Sequence, residues 1–186
     1  MNGLAAALES SALHAYMTPM LNLFLLWLVT VLAMEGFAYV MHRWVMHGPG
    51  WFLHLSHHRE RTGRFELNDF YAVIFALPSI VMIYGGMQAG WGAWAIAVGV
   101  GISTYGMIYF GFHDVIVHRR MPHRYIPKST YMKRIVQAHR LHHAVESKHH
   151  GLSFGFLVAP PIDKLMIQLD SSRAKLRSPT GRETPA

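Results

Sequence analysis

The sequence predicts an all-α protein that crosses a membrane several times and carries a histidine-rich, di-metal cap on the cytoplasmic side. Three observations lead there. Three long stretches are apolar and nearly uncharged, the basic residues are confined to two segments, and 14 histidines accompany no cysteine in 186 residues. The length suits one domain, taken as residues 1–170 with a disordered polar tail at 171–186. The missing cysteines exclude disulfides, cysteine-ligated zinc, thiolate haem and iron–sulfur clusters within the chain. A metal would have to be held by imidazole and oxygen.

The first apolar stretch, Pro19 to Met41, has Glu35 as its one ionisable residue. As a helix it would measure ~34 Å at ~1.5 Å per residue, enough for a hydrocarbon core of ~30 Å. The second span is expected at Phe70–Gln88, where Pro78 is tolerable as a kink. The third is expected at Trp91–Phe112, after a tight uncharged turn at Gly85–Gly90. Within it, "VGVGIS" at Val98–Ser103 resembles a glycine-rich dinucleotide turn but lacks the strand–turn–helix context. Its glycines suit close helix packing instead.

Four basic residues, Arg43, Arg59, Arg61 and Arg64, lie between the first two spans, and the other thirteen follow the third. The positive-inside rule then places the N-terminus outside the cytoplasm and the C-terminal third inside, in an inner membrane. No cleaved signal is expected at the opening residues. The formal charge of +7 is explained by this basic face rather than by nucleic acid.

That topology gathers ten histidines on one side. His42 and His47 follow the first span, with His54, His57 and His58 just beyond. His113 and His118 end the third span, and His139, His142 and His143 sit on a helix expected over 129–144. Residues at i, i+3 and i+4 share a helix face, so each HxxHH set can aim imidazoles into one space. The HxxxxH pairs diverge by about 140° on a regular helix, so they either lie where a helix frays or point toward different ions. An octahedral ion takes six ligands, so ten imidazoles imply two ions at about five each. Carboxylates are expected to stand behind the imidazoles and orient them, with Glu35 and Asp114 as candidates. Glu35 could alternatively cap a water pocket or pair with an arginine. His14, His123, His149 and His150 fit no set and are read as surface or connector residues.

The order HxxxxH, HxxHH, HxxxxH, HxxHH resembles that of the membrane fatty-acid hydroxylase superfamily of non-haem di-iron oxygenases. The words "HGPGWFLHLSHHRERTGRFELNDFYAV", "GFHDVIVHRRMPHRYIPKSTYMKRIVQAHRLHHA" and "SFGFLVAPP" are similar to those of bacterial beta-carotene hydroxylases. The resemblance runs from Met34 to Lys164 and keeps all ten histidines. It implies two iron ions, O2 as co-substrate and hydroxylation at C3 of each β-ionone ring, giving beta-cryptoxanthin and then zeaxanthin. It also implies an external donor such as reduced ferredoxin. Arg119, Arg120, Arg124, Lys128, Lys133 and Arg134 are a candidate docking face for that acidic protein. Tyr39, Trp44, Trp51, Phe52, Phe110 and Phe112 flank the histidines, although interfacial aromatics are common without a substrate. The segment 151–161 is too short to span, leaving open a dip into the membrane or a cap over the histidines. Beta-carotene and ketolated rings are not separated by the sequence. The alternatives are another membrane di-iron oxygenase (a carotenoid ketolase, desaturase or fatty-acid hydroxylase) or, distantly, a metal transporter. Transport wants ligands along the spans, and the three expected spans contain no histidine.

Overall fold

The computed structural model describes the backbone of residues 2–177 and the side chains of residues 17–174. Among these the structure is all helical, with no strand, in two compact units. Helix α1 covers Asn2–Val40 and continues into a π-helix, π1, at Met41–Met46; α2 is Trp51–His58. A 3-10 turn at Leu67–Asp69 leads into α3, Phe70–Gln88. Helix α4, Ala93–Tyr109, runs into a second π-helix, π2, at Phe110–Val117; α5 is Thr130–His143 and α6 is Ile162–Arg177.

Three of these helical segments, Met17–Met46, Leu67–Gln88 and Ala93–Val117, are long and apolar enough to cross a membrane. Phe70, Val73, Ile74, Leu77, Ile80, Val81, Tyr84 and Met87 form an exposed apolar stripe along α3. Such a stripe carries a heavy hydration penalty in water and none against lipid tails. The segments depart from expectation at their ends. Helix α1 begins well before Pro19, and α3 continues through Gly85 and Gly86, so the turn occupies residues 89–92. Gly90 and Gly92 carry that turn at φ values of 72° and 89°, which L side chains rarely adopt. The first and third spanning segments also extend far enough to include His42 and His113.

The first unit comprises 2–34 and 74–106. Its helices meet through small residues, as the glycines of "VGVGIS" suggest. A Cβ on Gly99 would lie 2.7 Å from Ile83 Cγ1, and one on Gly101 would lie 2.8 Å from Thr30 Cβ. Polar groups pair within the apolar packing: Ser79 Oγ donates to the Gly99 carbonyl at 2.7 Å, and Trp27 Nε1 donates to Thr104 Oγ1 at 3.1 Å.

The second unit comprises 35–73 and 107–177. Ser129 caps α5, its hydroxyl accepting the Met132 N–H at 3.2 Å. The core groups Ile135, Ala138, Val145, Leu152, Phe156, Ala159, Leu165 and Leu169. In α6, Leu165, Leu169 and Ser172 are buried at i, i+4 and i+7. That stripe carries the helix to Arg177, so residues 171–177, expected in the polar tail, are helical. The rest of the expected tail, 178–186, lies outside the described residues.

Candidate metal centre

All ten histidines of the repeated sets come together in the second unit, in two clusters. His42, His47, His54 and His142 bring ring nitrogens within 4.8 Å of one another, and His57, His118, His139 and His143 do the same. His58 joins the first cluster, its ring 5.0, 4.9 and 4.8 Å from those of His47, His54 and His142. His113 joins the second, with Nε2 3.1 Å from His57 Nε2 and its ring 4.5 Å from that of His118.

Helical geometry explains the division. Along α2, His54 and His58 serve the first cluster and His57 the second. Along α5 the roles reverse: His139 and His143 serve the second and His142 the first. Residues four apart sit about 40° apart around a helix, whereas i+3 lies about 100° from i+4. Each HxxHH set therefore splits two against one, and the two helices supply both clusters in mirror proportion.

The HxxxxH pairs answer a question left open by their spacing. Each is wound as a π-helix, with the His47 N–H donating to the His42 carbonyl at 3.0 Å and the His118 N–H to the His113 carbonyl at 2.9 Å. This five-residue closure brings i and i+5 together instead of 140° apart. The ring centroids are 5.2 Å apart for His42 and His47, and 4.5 Å for His113 and His118. Each pair serves one cluster, so the alternative of different ions is set aside.

The outward nitrogens fix the tautomers. His42 Nδ1 donates to the Phe154 carbonyl at 2.9 Å, His47 Nδ1 to Lys148 at 3.3 Å and His142 Nδ1 to Leu152 at 2.6 Å. His54 Nδ1 meets Asn68 Oδ1 at 2.7 Å. His57 Nδ1 meets Glu66 Oε2 at 3.0 Å, and His113 Nδ1 meets Asp114 Oδ2 at 3.1 Å. Each partner is an acceptor, so Nδ1 carries the proton and Nε2 turns a lone pair inward. Three pairs of such lone pairs face each other: His42 with His54 at 3.1 Å, His47 with His142 at 3.3 Å, and His57 with His113 at 3.1 Å. Two imidazoles bound ~2.1 Å from one ion, at right angles or slightly wider, stand ~3.0–3.3 Å apart. His58 adds two buried ring nitrogens with no partner. These donors fit a cation in each cluster.

Electrostatics favour the same state. Burial holds His47 down to about 4, and His54 and His118 to about 3, from an ordinary 6.5. His58, His139, His142 and His143 are also lowered, first by burial and then by neighbouring histidines. The rings are thus neutral, the form that ligates metal.

Asp114 stands against His113, and its other oxygen accepts from Arg120 Nη1 at 2.8 Å. Glu35 binds the backbone of a loop, a role that its sequence position does not suggest. Its Oε1 accepts the backbone N–H groups of Phe156, Leu157 and Val158 at 2.8, 2.8 and 3.2 Å. It anchors the loop whose Leu152 and Phe154 carbonyls orient His142 and His42. The segment 151–161 therefore lies against the histidines.

Sequence reasoning missed Glu66, Asn68 and Asp69. The only signal was a short polar run, "FELND", ahead of an apolar span, which reads as an ordinary helix entry. It is also that: Glu66 and Asp69 form a reciprocal capping box. Arg120 grips both Asp69 oxygens and Asp114, so it is withdrawn from the expected docking face. Arg119, Arg124, Lys128 and Lys133 are exposed and Arg134 is half-buried. His123 donates Nε2–H to the Val115 carbonyl at 2.7 Å, and His149 and His150 are exposed. The side chain of His14 is outside those described. Trp51 packs on His47 and His58 at 4.9 and 5.1 Å, and Tyr109 stacks on His113 at 4.6 Å. Trp44, Phe52 and Phe110 are exposed.

A helical protein with apolar spanning segments and two histidine clusters is the setting in which the comparisons fall. Residues 27–167 match the family described as "Fatty acid hydroxylase", and the chain belongs to that family. Among curated relatives, it is 51% identical to the beta-carotene hydroxylase of Pantoea ananas over 76% of this chain and 79% of that one. It is 50% identical to the beta-carotene hydroxylase of Paracoccus sp. (strain N81106 / MBIC 01143), over 80% of this chain and 91% of that one. The chloroplastic beta-carotene 3-hydroxylase of Haematococcus lacustris is 38% identical over 76% of this chain and 48% of its own length. No solved structure matches the chain.

Proposed function

We propose that this chain is a beta-carotene 3-hydroxylase: it uses O2 and two electrons to hydroxylate C3 of one β-ionone ring and then of the other, giving beta-cryptoxanthin and zeaxanthin. The observation that carries the reading is the pair of clusters with inward-facing lone pairs, in a chain about half identical to named beta-carotene hydroxylases over most of both lengths.

His42, His47, His54, His58 and His142 would hold one iron ion and His57, His113, His118, His139 and His143 a second, and the pair would supply the oxidising power that an unactivated ring methylene requires. Side-chain acids and bases lack that power. The chain's own groups do the rest. Phe154, Lys148, Leu152, Asn68, Glu66 and Asp114 hold six ligating rings in one tautomer. Trp51, Tyr109 and Phe156 close apolar walls over the rings and keep water from the reacting atoms. The stacked rings of His58 and His143, 4.5 Å apart, join the two clusters directly.

The substrate is a hydrocarbon that dissolves in lipid, which suits a centre built at the ends of apolar helices. The chain lies in an inner membrane with the clusters on the cytoplasmic side, where reduced ferredoxin is available. Arg119, Arg124, Lys128 and Lys133 remain as the exposed basic residues of its docking face.

The test is pigment analysis of cells that accumulate beta-carotene and express the chain. Products gaining one and then two oxygen atoms, with ring-3 hydroxyls, are expected. Unchanged beta-carotene in the presence of metal-loaded protein and reduced ferredoxin would refute the substrate assignment.

A further inference from the structure

The two clusters are alike in their rings and unlike in what stands behind them. In the first cluster four rings donate to neutral acceptors: the carbonyls of Phe154, Lys148 and Leu152, and the side-chain amide oxygen of Asn68. In the second, His57 and His113 donate to the carboxylates of Glu66 and Asp114. The difference falls within one short stretch, since Glu66 serves the second cluster and Asn68 the first.

The two carboxylates belong to one network. Arg120 Nη1 donates to Asp114 Oδ1 at 2.8 Å and Nη2 to Asp69 Oδ2 at 2.7 Å. Asp69 Oδ2 accepts the Glu66 N–H at 3.0 Å. Three carboxylates against one guanidinium leave the network with a net charge of −2. Arg61, 3.8 Å from Glu66, is partly exposed and screened by solvent. Glu35 Oε1 accepts from the backbone N–H groups of Phe156 and Leu157.

A carboxylate accepting from Nδ1–H draws that proton outward and raises electron density at Nε2, making the ring a stronger donor. Negative charge close behind the rings also offsets the charge of a divalent ion among neutral imidazoles. A backbone carbonyl does both more weakly. We propose that Glu66 and Asp114, locked in place through Arg120 and Asp69, make the His57–His113–His118–His139–His143 position the electron-richer of the two, so that it binds a divalent ion first and more tightly. The inference rests on the reading that each cluster holds metal. Glu66, Asp114, Asp69 and Arg120 are positioning residues for that ion.

The experiment uses the full chain in detergent micelles, freed of metal and titrated without oxygen with ⁵⁷Fe(II), read by Mössbauer spectroscopy and binding isotherms. One quadrupole doublet should grow through the first equivalent and a second through the next. His139→Ala should abolish the first-filling doublet, and His142→Ala the other. Glu66→Gln with Asp114→Asn should weaken the first step by ~10–100-fold and leave the second unchanged. Asn68→Asp, nearly the same size, should tighten the second step and narrow the gap. Two doublets growing together from the first addition would overturn the proposal, as would equal weakening of both steps in the carboxylate variant. Ordered filling without hydroxylated carotenoid would sink the proposed function alone. Hydroxylation with simultaneous filling would sink this inference alone, and a chain that takes up no iron would sink both.

Discussion

Glu35 lies in an apolar helix, and removing its carboxylate isolates what the loop beneath it contributes. The N–H groups of Phe156 and Leu157 are partly buried and 2.8 Å from Oε1, whereas the Val158 N–H, at 3.2 Å, is exposed and can turn to water. Stranding a buried donor costs about 1–3 kcal/mol, so Glu35→Ala should cost roughly 2–4 kcal/mol for two partly buried ones. At about 2–4 °C per kcal/mol for a chain of this size, thermal unfolding in micelles should begin roughly 5–15 °C lower. Glu35→Gln keeps an oxygen acceptor and should lose about half as much. The loop also holds His142 and His42 through the Leu152 and Phe154 carbonyls, so metal should leave the first cluster before the second. An unchanged melting temperature with full metal content, or earlier loss from the second cluster, would refute the loop-anchor account.

The other predictions test separate parts of the molecule. His139→Ala should abolish turnover and lower bound iron while leaving the protein in the membrane; full hydroxylation in that variant would remove the site assignment. Gly99→Val should force a Cβ to 2.7 Å from Ile83 and 2.9 Å from the Ser79 carbonyl, costing about 1–3 kcal/mol, visible as reduced thermal stability. Arg120→Met leaves Asp69 and Asp114 without their shared cation; with the side chain still 15% exposed the loss should be about 1–3 kcal/mol, and an unaltered melting temperature would argue against the network. In metal-free protein, His47 and His54 titrate near 4 and 3 when folded and near 6.5 when unfolded. The unfolded chain therefore binds more protons across that interval. Stability should be level above about pH 7 and fall as pH drops from 6.5 toward 4, and a melting temperature that rises on acidification would contradict this.

Much of the fold was legible because lipid-facing helices announce themselves. Helix α3, Phe70–Gln88, covers the stretch read from Phe70 to about Gln88, where the aromatic start and the glutamine end bracket a run with no charge, although the apolar spanning segment already begins at Leu67. Helix α5 falls within a residue of its expected bounds at each end, and the structure adds that Ser129 caps its start. The count of ten histidines suggested two groups of about five, whereas which ring joins which group was not legible. The π-winding was not legible: an i, i+5 spacing carries no helix signature, and only the paired carbonyl–amide closures reveal how His42 meets His47. The anchoring role of Glu35 was hidden too, because its partners are backbone groups some 120 residues away. Glu66 and Asn68 were missed for a related reason. Glu66 does ordinary work at a helix entry, Asn68 sits in the same short turn, and nothing in "FELND" points to histidines.

The exchange of histidines between the clusters bears on how such a centre is kept in register. If α2 supplied three rings to one cluster and α5 three to the other, a small shift of either helix would change the spacing between the clusters. Here each helix serves both clusters, so a rotation of α2 that moved His54 and His58 away from the first would also drag His57 from the second. The loss is shared, and α5 resists it through His142 and through His139 with His143. Each π-helix then adds a pair to a single cluster, His42 with His47 or His113 with His118, and completes five rings without tying the clusters further. Eight of the ten rings thus reach their cluster at sequence offsets of four or five from another ring of the same cluster. The two that do not, His57 and His142, are the residues through which each helix reaches across. Replacing either should therefore cut that helix's link to the far cluster and weaken that cluster alone, His142→Ala the first and His57→Ala the second.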